Sequence, residues 1–417
     1  MERDFLRPSS LVDADRLWNR HLTLAQFGAR DDGGVDRPAL SPQESEARAQ
    51  LIAWARQIGL RAYTDEAANL FLRLDGSDRD AAPVLSGSHI DSQPTGGKFD
   101  GVFGVLAALE AVEAIVASGR TPRRAIEVVA WMNEEGSRFS PGMAGSQAYT
   151  GGRTVDAVRA ATDADGVTAG EAIDQLLSRD HDVPLRPLGR PVAAFIEAHI
   201  EQGPLLERQG IPVGIVSGIQ GTRRYRVHVR GEAAHAGTSN RSERKDALLA
   251  AVRMISAIDA EARQPDDLKV TFGLFSVTPN APSVVPEEVL FSIDVRHPDD
   301  AEVERLDAVI RAAVEREQSP CTASLEQIAH AASIVFRAEV RDILRDAAQT
   351  LGIPATDIYS AAGHDARQLH YVCATGMLFV PCRDGISHNP KEWAEPADLF
   401  KGTQVLTDAL WQLANAP

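Results

Sequence analysis

Residues 82–116 contain Ala82-Pro-Val-Leu-Ser-Gly87, then Ser88-His89-Ile90-Asp91, the turn Thr95-Gly96-Gly97-Lys98-Phe99-Asp100-Gly101, and a long apolar segment, Val102-Phe-Gly-Val-Leu-Ala-Ala-Leu-Glu-Ala-Val-Glu-Ala-Ile-Val116. A short apolar run, a Gly-rich turn and a long apolar run predict strand, loop and buried helix. Downstream, 126–132 (Ile-Glu-Val-Val-Ala-Trp-Met) is rich in β-formers. A second such run, 193–199, follows a more polar stretch at 151–189, and a further apolar run lies at 376–382. Upstream, 12–26 and 44–58 carry apolar residues at helical spacing. Ser41-Pro42-Gln43-Glu44 supplies the second of these with a cap, a first-turn proline and an N-terminal acid. Strands alternating with helices predict a three-layer α/β/α domain with a largely parallel central sheet.

Between about 211 and 331 the pattern changes to strand 225–229, helix 244–261, strands 269–276 and 289–296, helix 300–318 and a short strand near 321–326. This β-α-β-β-α-β order is that of a ferredoxin-like α+β unit, large enough to fold by itself. The expected division is 1–211 with 331–417 as one discontinuous domain and 212–330 as an inserted domain.

Composition narrows the function. The 417 residues are 44% hydrophobic and 24% charged, and 43 Lys+Arg against 59 Asp+Glu give a net charge of −16. Such a chain repels phosphate backbones and anionic membranes, so nucleic acid and membrane partners are not expected. Cys321, Cys373 and Cys382 show neither disulfide-scaffold nor zinc-finger spacing, which points to a reducing compartment. The opening Met-Glu-Arg-Asp-Phe-Leu-Arg lacks a signal-peptide core, and no apolar stretch approaches the roughly 18 residues of a membrane span, so a cytoplasmic protein is expected.

Four predicted strands end in residues suited to metals: Gly87-Ser-His89-Ile-Asp91, Asn133-Glu134-Glu135-Gly136, Glu197-Ala-His199-Ile-Glu-Gln202-Gly203 and Gly385-Ile-Ser-His388-Asn-Pro390. Ligand sites of open α/β sheets lie beyond the carboxyl ends of strands. With Asp100 from the Gly-rich turn, His89, His199, His388 and Glu135 make five side chains able to hold two divalent ions, provided one carboxylate, here Asp100, bridges. Asp91, on the same face as His89 in an extended segment, is expected to accept the other ring N–H of that histidine. Glu134, adjacent to Glu135 and pointing the other way, is expected to act as general base on the attacking water. Taken singly, Asp100 could also be a helix N-cap, the Glu pair a solvated loop, and His89 or His199 a satisfied polar residue beside the core. Their convergence at four strand ends favours a site.

These segments, together with Gly-Gly-Lys-Phe-Asp100-Gly, Glu134-Glu135-Gly-Ser-Arg-Phe, Glu-Ala-His199-Ile-Glu-Gln-Gly-Pro and Ala-His235-Ala-Gly, resemble the N-carbamoyl-L-amino acid hydrolase (hydantoinase/carbamoylase) branch of the M20 amidohydrolases and peptidases, which also contains allantoate and ureidoglycolate amidohydrolases. The resemblance runs in order over nearly the whole chain. It implies His89, Asp100 and His199 around one ion, Asp100, Glu135 and His388 around the other, and Glu134 as base. Zinc or manganese are the favoured metals, with cobalt or nickel also suited to these ligands. It further implies that Gln202 touches the substrate or its leaving group, and that His235, in the partner subunit's active site of a homodimer, stabilises the oxyanion. Asn280 and Arg296 would grip a substrate carboxylate, and His364 of Gly363-His364-Asp365 would contact the substrate. His228, among Arg224, Arg226 and Arg230, reads instead as part of a solvated strand face, and His21, His181, His297, His330 and His370 as structural.

Three positions depart from the family pattern. Thr238-Ser239-Asn240-Arg241 replaces the usual Thr-Thr-Pro-Met, Ala361 stands where glycine is common, and Ala68 precedes Asn69 where glycine is frequent. None removes a ligand or the base. The expected activity is metal-dependent hydrolysis of the ureido C–N bond of an N-carbamoyl-L-amino acid. The other outcomes are allantoate, ureidoglycolate or N-acyl amino acid hydrolysis, or a metal-binding homologue without catalysis.

Overall fold

The computed structural model describes residues 7–263 and 268–416; six of the seven N-terminal residues read as lacking a signal-peptide core, 1–6, lie outside these. The chain divides into two compact units, Met1–Ser217 with Phe336–Pro417, and Gly218–Val335.

The first unit is built on a mixed sheet. Its strands are β1 (Arg61–Thr64), β2 (Leu70–Leu74), β3 (Val84–His89), β4 (Ile126–Trp131), β5 (Ala194–Ile200), β6 (Val213–Ile219), β7 (Ala355–Ser360) and β8 (Ala374–Val380). They lie in the order β1-β2-β4-β3-β5-β8-β6, with β7 also paired to β6. The central four, β4, β3, β5 and β8, are parallel, and antiparallel pairs flank them. Every residue of β3, β4 and β5 is buried, as a sheet covered on both faces requires. Alternation along β4 shows the two faces. Ile126, Val128 and Ala130 pack into the main core, while Trp131 meets Phe71, Tyr149 and Phe195 on the opposite side.

Helices α1 (Ala14–Leu24), α2 (Pro42–Gln57), α3 (Val102–Ala117), α4 (Ala338–Leu351) and α5 (Pro396–Asn415) contribute to that main core. The capping reading of 41–44 holds: the Ser41 side chain accepts from the Glu44 N–H. Helix α3 is apolar nearly all round because it is buried nearly all round. Its one fully buried acid, Glu110, is paired with Arg16 at 2.6 Å and Arg20 at 3.5 Å. The residue that caps α3 is Gly101, at φ +65°, with no side-chain cap, so the Asp100 carboxylate is not spent on the helix.

The sequence reading assigned no strand to β1, β2, β6 or β7. Arg61-Ala-Tyr-Thr and Ala355-Thr-Asp-Ile-Tyr-Ser are short and half polar, so periodicity alone does not separate them from loop. β6 continues from the first unit across Ser217/Gly218, whereas the reading began the insert at 212.

In the second unit, the strands Phe275–Thr278, Glu288–His297, Gly221–Arg230 and Thr322–Ala331 form an antiparallel sheet in that order. The single strand read at 269–276 is two, Lys269–Thr271 and Phe275–Thr278, both paired to Glu288–His297. The break falls at Phe272-Gly273-Leu274, where the Leu274 N–H turns to the Ser292 hydroxyl at 2.9 Å. Helices Ala247–Glu261 and Asp300–Glu317 cover one face over Tyr225, Val227, Val229, Phe291 and Ile293. On the other face, Arg224, Arg226 and Arg230 are exposed and His228 Nε2 sits 2.9 Å from Glu288. Among the described residues no helix is long and apolar enough to cross a membrane.

Candidate metal centre

Because β4, β3, β5 and β8 are parallel neighbours, their carboxyl ends share one rim of the sheet, and the chain deposits a polar side chain at each. His89 ends β3 and is in register with Trp131, just before the Glu134-Glu135 loop. His199 of β5 is in register with Phe379 of β8, which leads to the His388 loop. Asp100 enters from the turn before α3.

Asp100 lies at the centre of these groups. Its Oδ1 is 3.2 Å from His199 Nε2 and 3.8 Å from His89 Nε2, while its Oδ2 is 3.0 Å from His388 Nε2. Glu135 Oε2 is 3.5 Å from the same His388 nitrogen. Within each of the sets His89/Asp100/His199 and Asp100/Glu135/His388, the ligand atoms all lie within 4.8 Å of one another. The two oxygens of one carboxylate thus serve two separate donor sets.

Local hydrogen bonds choose which imidazole nitrogen faces inward. His89 Nδ1 is 2.9 Å from the Asp91 carbonyl, and His199 Nδ1 is 2.9 Å from the Ile200 carbonyl. A carbonyl only accepts, so each Nδ1 is the donor, and in the neutral ring the lone pair sits on Nε2, toward Asp100. The expected partner of His89 was the Asp91 carboxylate; at 3.5 Å it is more distant than the main-chain oxygen. That carboxylate is occupied elsewhere, accepting the backbone N–H groups of Glu134 and Glu135 at 3.2 Å each. Asp91 therefore holds the loop that carries Glu134 and Glu135.

Burial and charge crowding leave the cluster hungry for cations. Burial, with Asp365, Glu135 and Asp91 nearby, raises Glu134 well above the carboxylate range despite His89. Burial and then Asp100 push Glu135 up to about 7. Burial opposes protonation of His89, but Asp91 and Glu134 prevail and raise it. The hydrogen bond to Asp100 takes His388 up to about 9. Asp100 is the exception: burial opposes its ionisation, but the hydrogen bonds with His199 and His388 prevail and hold it well below the usual carboxylate range. A central carboxylate kept ionised among groups that hold protons tightly marks a site where positive charge is stabilised, and the inward-facing Nε2 atoms suit a borderline divalent ion. The residues present fit metal.

Glu134 Oε2 lies 3.7 Å from His89 Nε2. Gln202, at φ +57°, donates Nε2 to Asp100 Oδ2 and to Ser387 Oγ, both at 3.1 Å, and its Oε1 is buried with no hydrogen-bond partner among the described residues. His364 departs from its expected substrate contact. It is 2% exposed, its ring centroid is 4.5 Å from that of His199, and Nε2 points to Ser360 Oγ at 3.0 Å. Packed beneath a ligand, it offers a substrate almost no surface.

His235, Asn280 and Arg296 belong to the second unit. The exposed His235 accepts the Gly237 N–H at Nδ1, 3.0 Å away, which leaves the proton of the neutral ring on Nε2 as a donor. Its loop is braced by Arg244, which donates to the carbonyls of Ala236 and Ser239. Asn280 is exposed at φ +53°. Arg296 donates Nε and Nη2 to Asp294 at 2.9 and 3.2 Å.

The sequence reading gave no role to several residues that build this site. Asn69 accepts the Met132 N–H and donates to Asp65 and to the Gly145 carbonyl, tying both ends of the Glu134 loop. The preceding Ala68 stands at φ +62°, a conformation that explains why glycine suits this position. Ala361, by contrast, is not in the left-handed region. Gln93 clasps Glu135 through its backbone N–H and side-chain amide. Glu197 and Asp365 are buried carboxylates below the cluster, accepting from Ser88 and Ser146 respectively. Nothing in a linear sequence distinguishes these from solvated polar residues.

Residues 85–412 match the model of peptidase family M20/M25/M40. The chain belongs to this family. This M20 chain is 37% identical over 412 residues to an N-carbamoyl-L-amino acid amidohydrolase of Geobacillus stearothermophilus, covering 97% of this chain and all of that protein. It is 34% identical to an allantoate amidohydrolase of Bacillus subtilis, covering 94% and 95%. A crystal structure of an amidase of the hydantoinase/carbamoylase family from Burkholderia multivorans superposes with a TM-score of 0.90 at 41% identity, over 98% of this chain and all of that one.

Proposed function

We propose that this M20 chain hydrolyses the ureido C–N bond of an N-carbamoyl-L-amino acid or a close ureide. It is a hydrolase of linear amide-type C–N bonds, like the relatives it matches across 95% or more of their length. The observation that carries the reading is the division of Asp100 between two donor sets with Glu134 beside them. His89, Asp100 and His199 would hold one divalent ion and Asp100, Glu135 and His388 a second, with zinc or manganese the leading candidates and cobalt or nickel also suited. When bound, such ions supply Lewis acidity and raise the acidity of water.

The chain's own residues perform the proton work. Glu134, whose burial raises its proton affinity, takes a proton from the water that attacks the carbamoyl carbon. The C–O bond forms, the C–N bond to the amino acid breaks, and Glu134 returns the proton to the leaving nitrogen. The products are the amino acid and carbamate, which decomposes to ammonia and carbon dioxide. His235, donating from Nε2, would stabilise the oxyanion in the active site of the partner subunit of a cytoplasmic homodimer, with Asn280 and Arg296 on the substrate carboxylate. This last assignment rests on the family resemblance.

The test is ammonia release by metal-reconstituted protein on a panel of N-carbamoyl-L-amino acids, allantoate, ureidoglycolate and N-acyl amino acids. N-carbamoyl substrates are expected to give the highest kcat/KM. A higher value on allantoate would move the assignment to the other named branch, and no turnover on any would overturn it.

A further inference from the structure

Glu392 lies four residues beyond His388 and is 2% exposed, yet it has no place in the chemistry above. Its Oε1 accepts the backbone N–H groups of Phe99 at 2.8 Å and Asp100 at 3.1 Å. Its Oε2 is 3.1 Å from the Ser387 hydroxyl, which is itself 3.1 Å from Asp100 Oδ2. The turn leaves room for it: a Cβ on Gly97 would stand 2.1 Å from the Glu392 carboxyl carbon, so glycine there admits the acid. One buried carboxylate therefore ties the turn bearing Asp100 to the loop bearing His388, nearly 300 residues apart in sequence.

We infer that Glu392, acting through Ser387, is a positioning residue that sets Asp100 and His388 in register for the second metal ion. The inference rests on the metal reading of the cluster. Gln202 also bridges the Asp100 carboxylate and the Ser387 hydroxyl, and Glu392 adds a hold on the backbone N–H groups of Phe99 and Asp100. Groups that orient ligands in this way commonly govern metal affinity about as strongly as a factor of ten or more. Glutamine at 392 keeps an oxygen for the two backbone N–H groups and can donate its amide to Ser387, whose hydroxyl then goes to Asp100, so the geometry survives the loss of charge.

The test is Co2+ titration of chelator-stripped full-length protein against a chromophoric competitor, with the visible absorption of bound Co2+ as a second readout. Wild type is expected to take two equivalents. E392A should bind the second equivalent at least about tenfold more weakly, with an altered absorption band and a smaller effect on the first equivalent, and E392Q should bind within a fewfold of wild type. S387A, which deletes only a hydroxyl, should weaken the second equivalent in the same direction and decides the matter if E392A does not fold. Wild-type affinity and spectrum in both E392A and S387A would overturn the positioning role, as would an E392Q loss equal to that of E392A. Absence of Co2+ binding by wild type would instead overturn the metal reading itself.

Discussion

Glu134 Oε2 stands 3.7 Å from Nε2 of His89, the nitrogen that carries the lone pair when that ring is neutral. Glu134, the proposed base, is thus beside the donor set and is not itself part of either triad. Replacing Glu134 by Gln should keep divalent metal bound while lowering kcat about a hundred- to ten-thousand-fold. Metal content by elemental analysis, measured alongside turnover, checks both halves; an unchanged rate would defeat the assignment.

Asn69 supports the same loop from below. Its side chain satisfies the Met132 N–H, the Asp65 carboxylate and the Gly145 carbonyl, all away from water. Asn69→Ala strands these partners, and the expected loss of stability is about 2–4 kcal/mol, the scale of unpaired buried polar groups. Denaturant unfolding reads the loss directly, and kcat should fall with it because the Glu134 loop loses its anchor.

His21 gives the protein an acid sensitivity of its own. Its ring is buried against Phe99 and Phe103, both nitrogens lack hydrogen-bond partners among the described residues, and burial lowers it to about 3. The unfolded chain binds this proton below its ordinary value near 6.5 and the folded chain does not. Folding stability therefore falls as pH drops from 6.5 toward 3, by about 3 kcal/mol at pH 4.5. His21→Leu removes that contribution. Its melting temperature should decline less between pH 7 and pH 4.5 than that of wild type, and parallel declines would show that His21 is not the titrating group.

His235 can be tested by mixing. H235A and E134Q should each be nearly inactive, with His235 loss costing about a hundred- to a thousandfold in kcat. If His235 serves the partner subunit's site, chains of the two variants unfolded and refolded together regain activity, because one site of each mixed dimer is complete. Failure to regain any activity, with mixed dimers verified by mass, would place His235 outside the partner's chemistry.

Much of this protein was legible as a string. The strand-loop-helix order around 82–116 follows from apolar run lengths and Gly-rich punctuation, and the four site-bearing strand ends follow from which residue types end those runs. The antiparallel strands flanking the parallel core were not legible, since Arg61–Thr64 and Ala355–Ser360 take their shape from the neighbours they pair with and not from local periodicity. The same holds for the break at Phe272-Gly273-Leu274.

Sequence by itself determined the inventory of the site: three imidazoles and two carboxylates at the ends of apolar runs, with an acid adjacent to one of them. Only the tertiary structure decided how each is used. It divided the Asp100 oxygens between two donor sets, gave the His89 Nδ1 proton to a carbonyl, moved the Asp91 carboxylate to the Glu134 and Glu135 backbone, and buried His364 under His199. Residue type and spacing fix which groups are available, but hydrogen bonds are directional over about 3 Å, and distances on that scale between segments hundreds of residues apart exist only once the chain is folded.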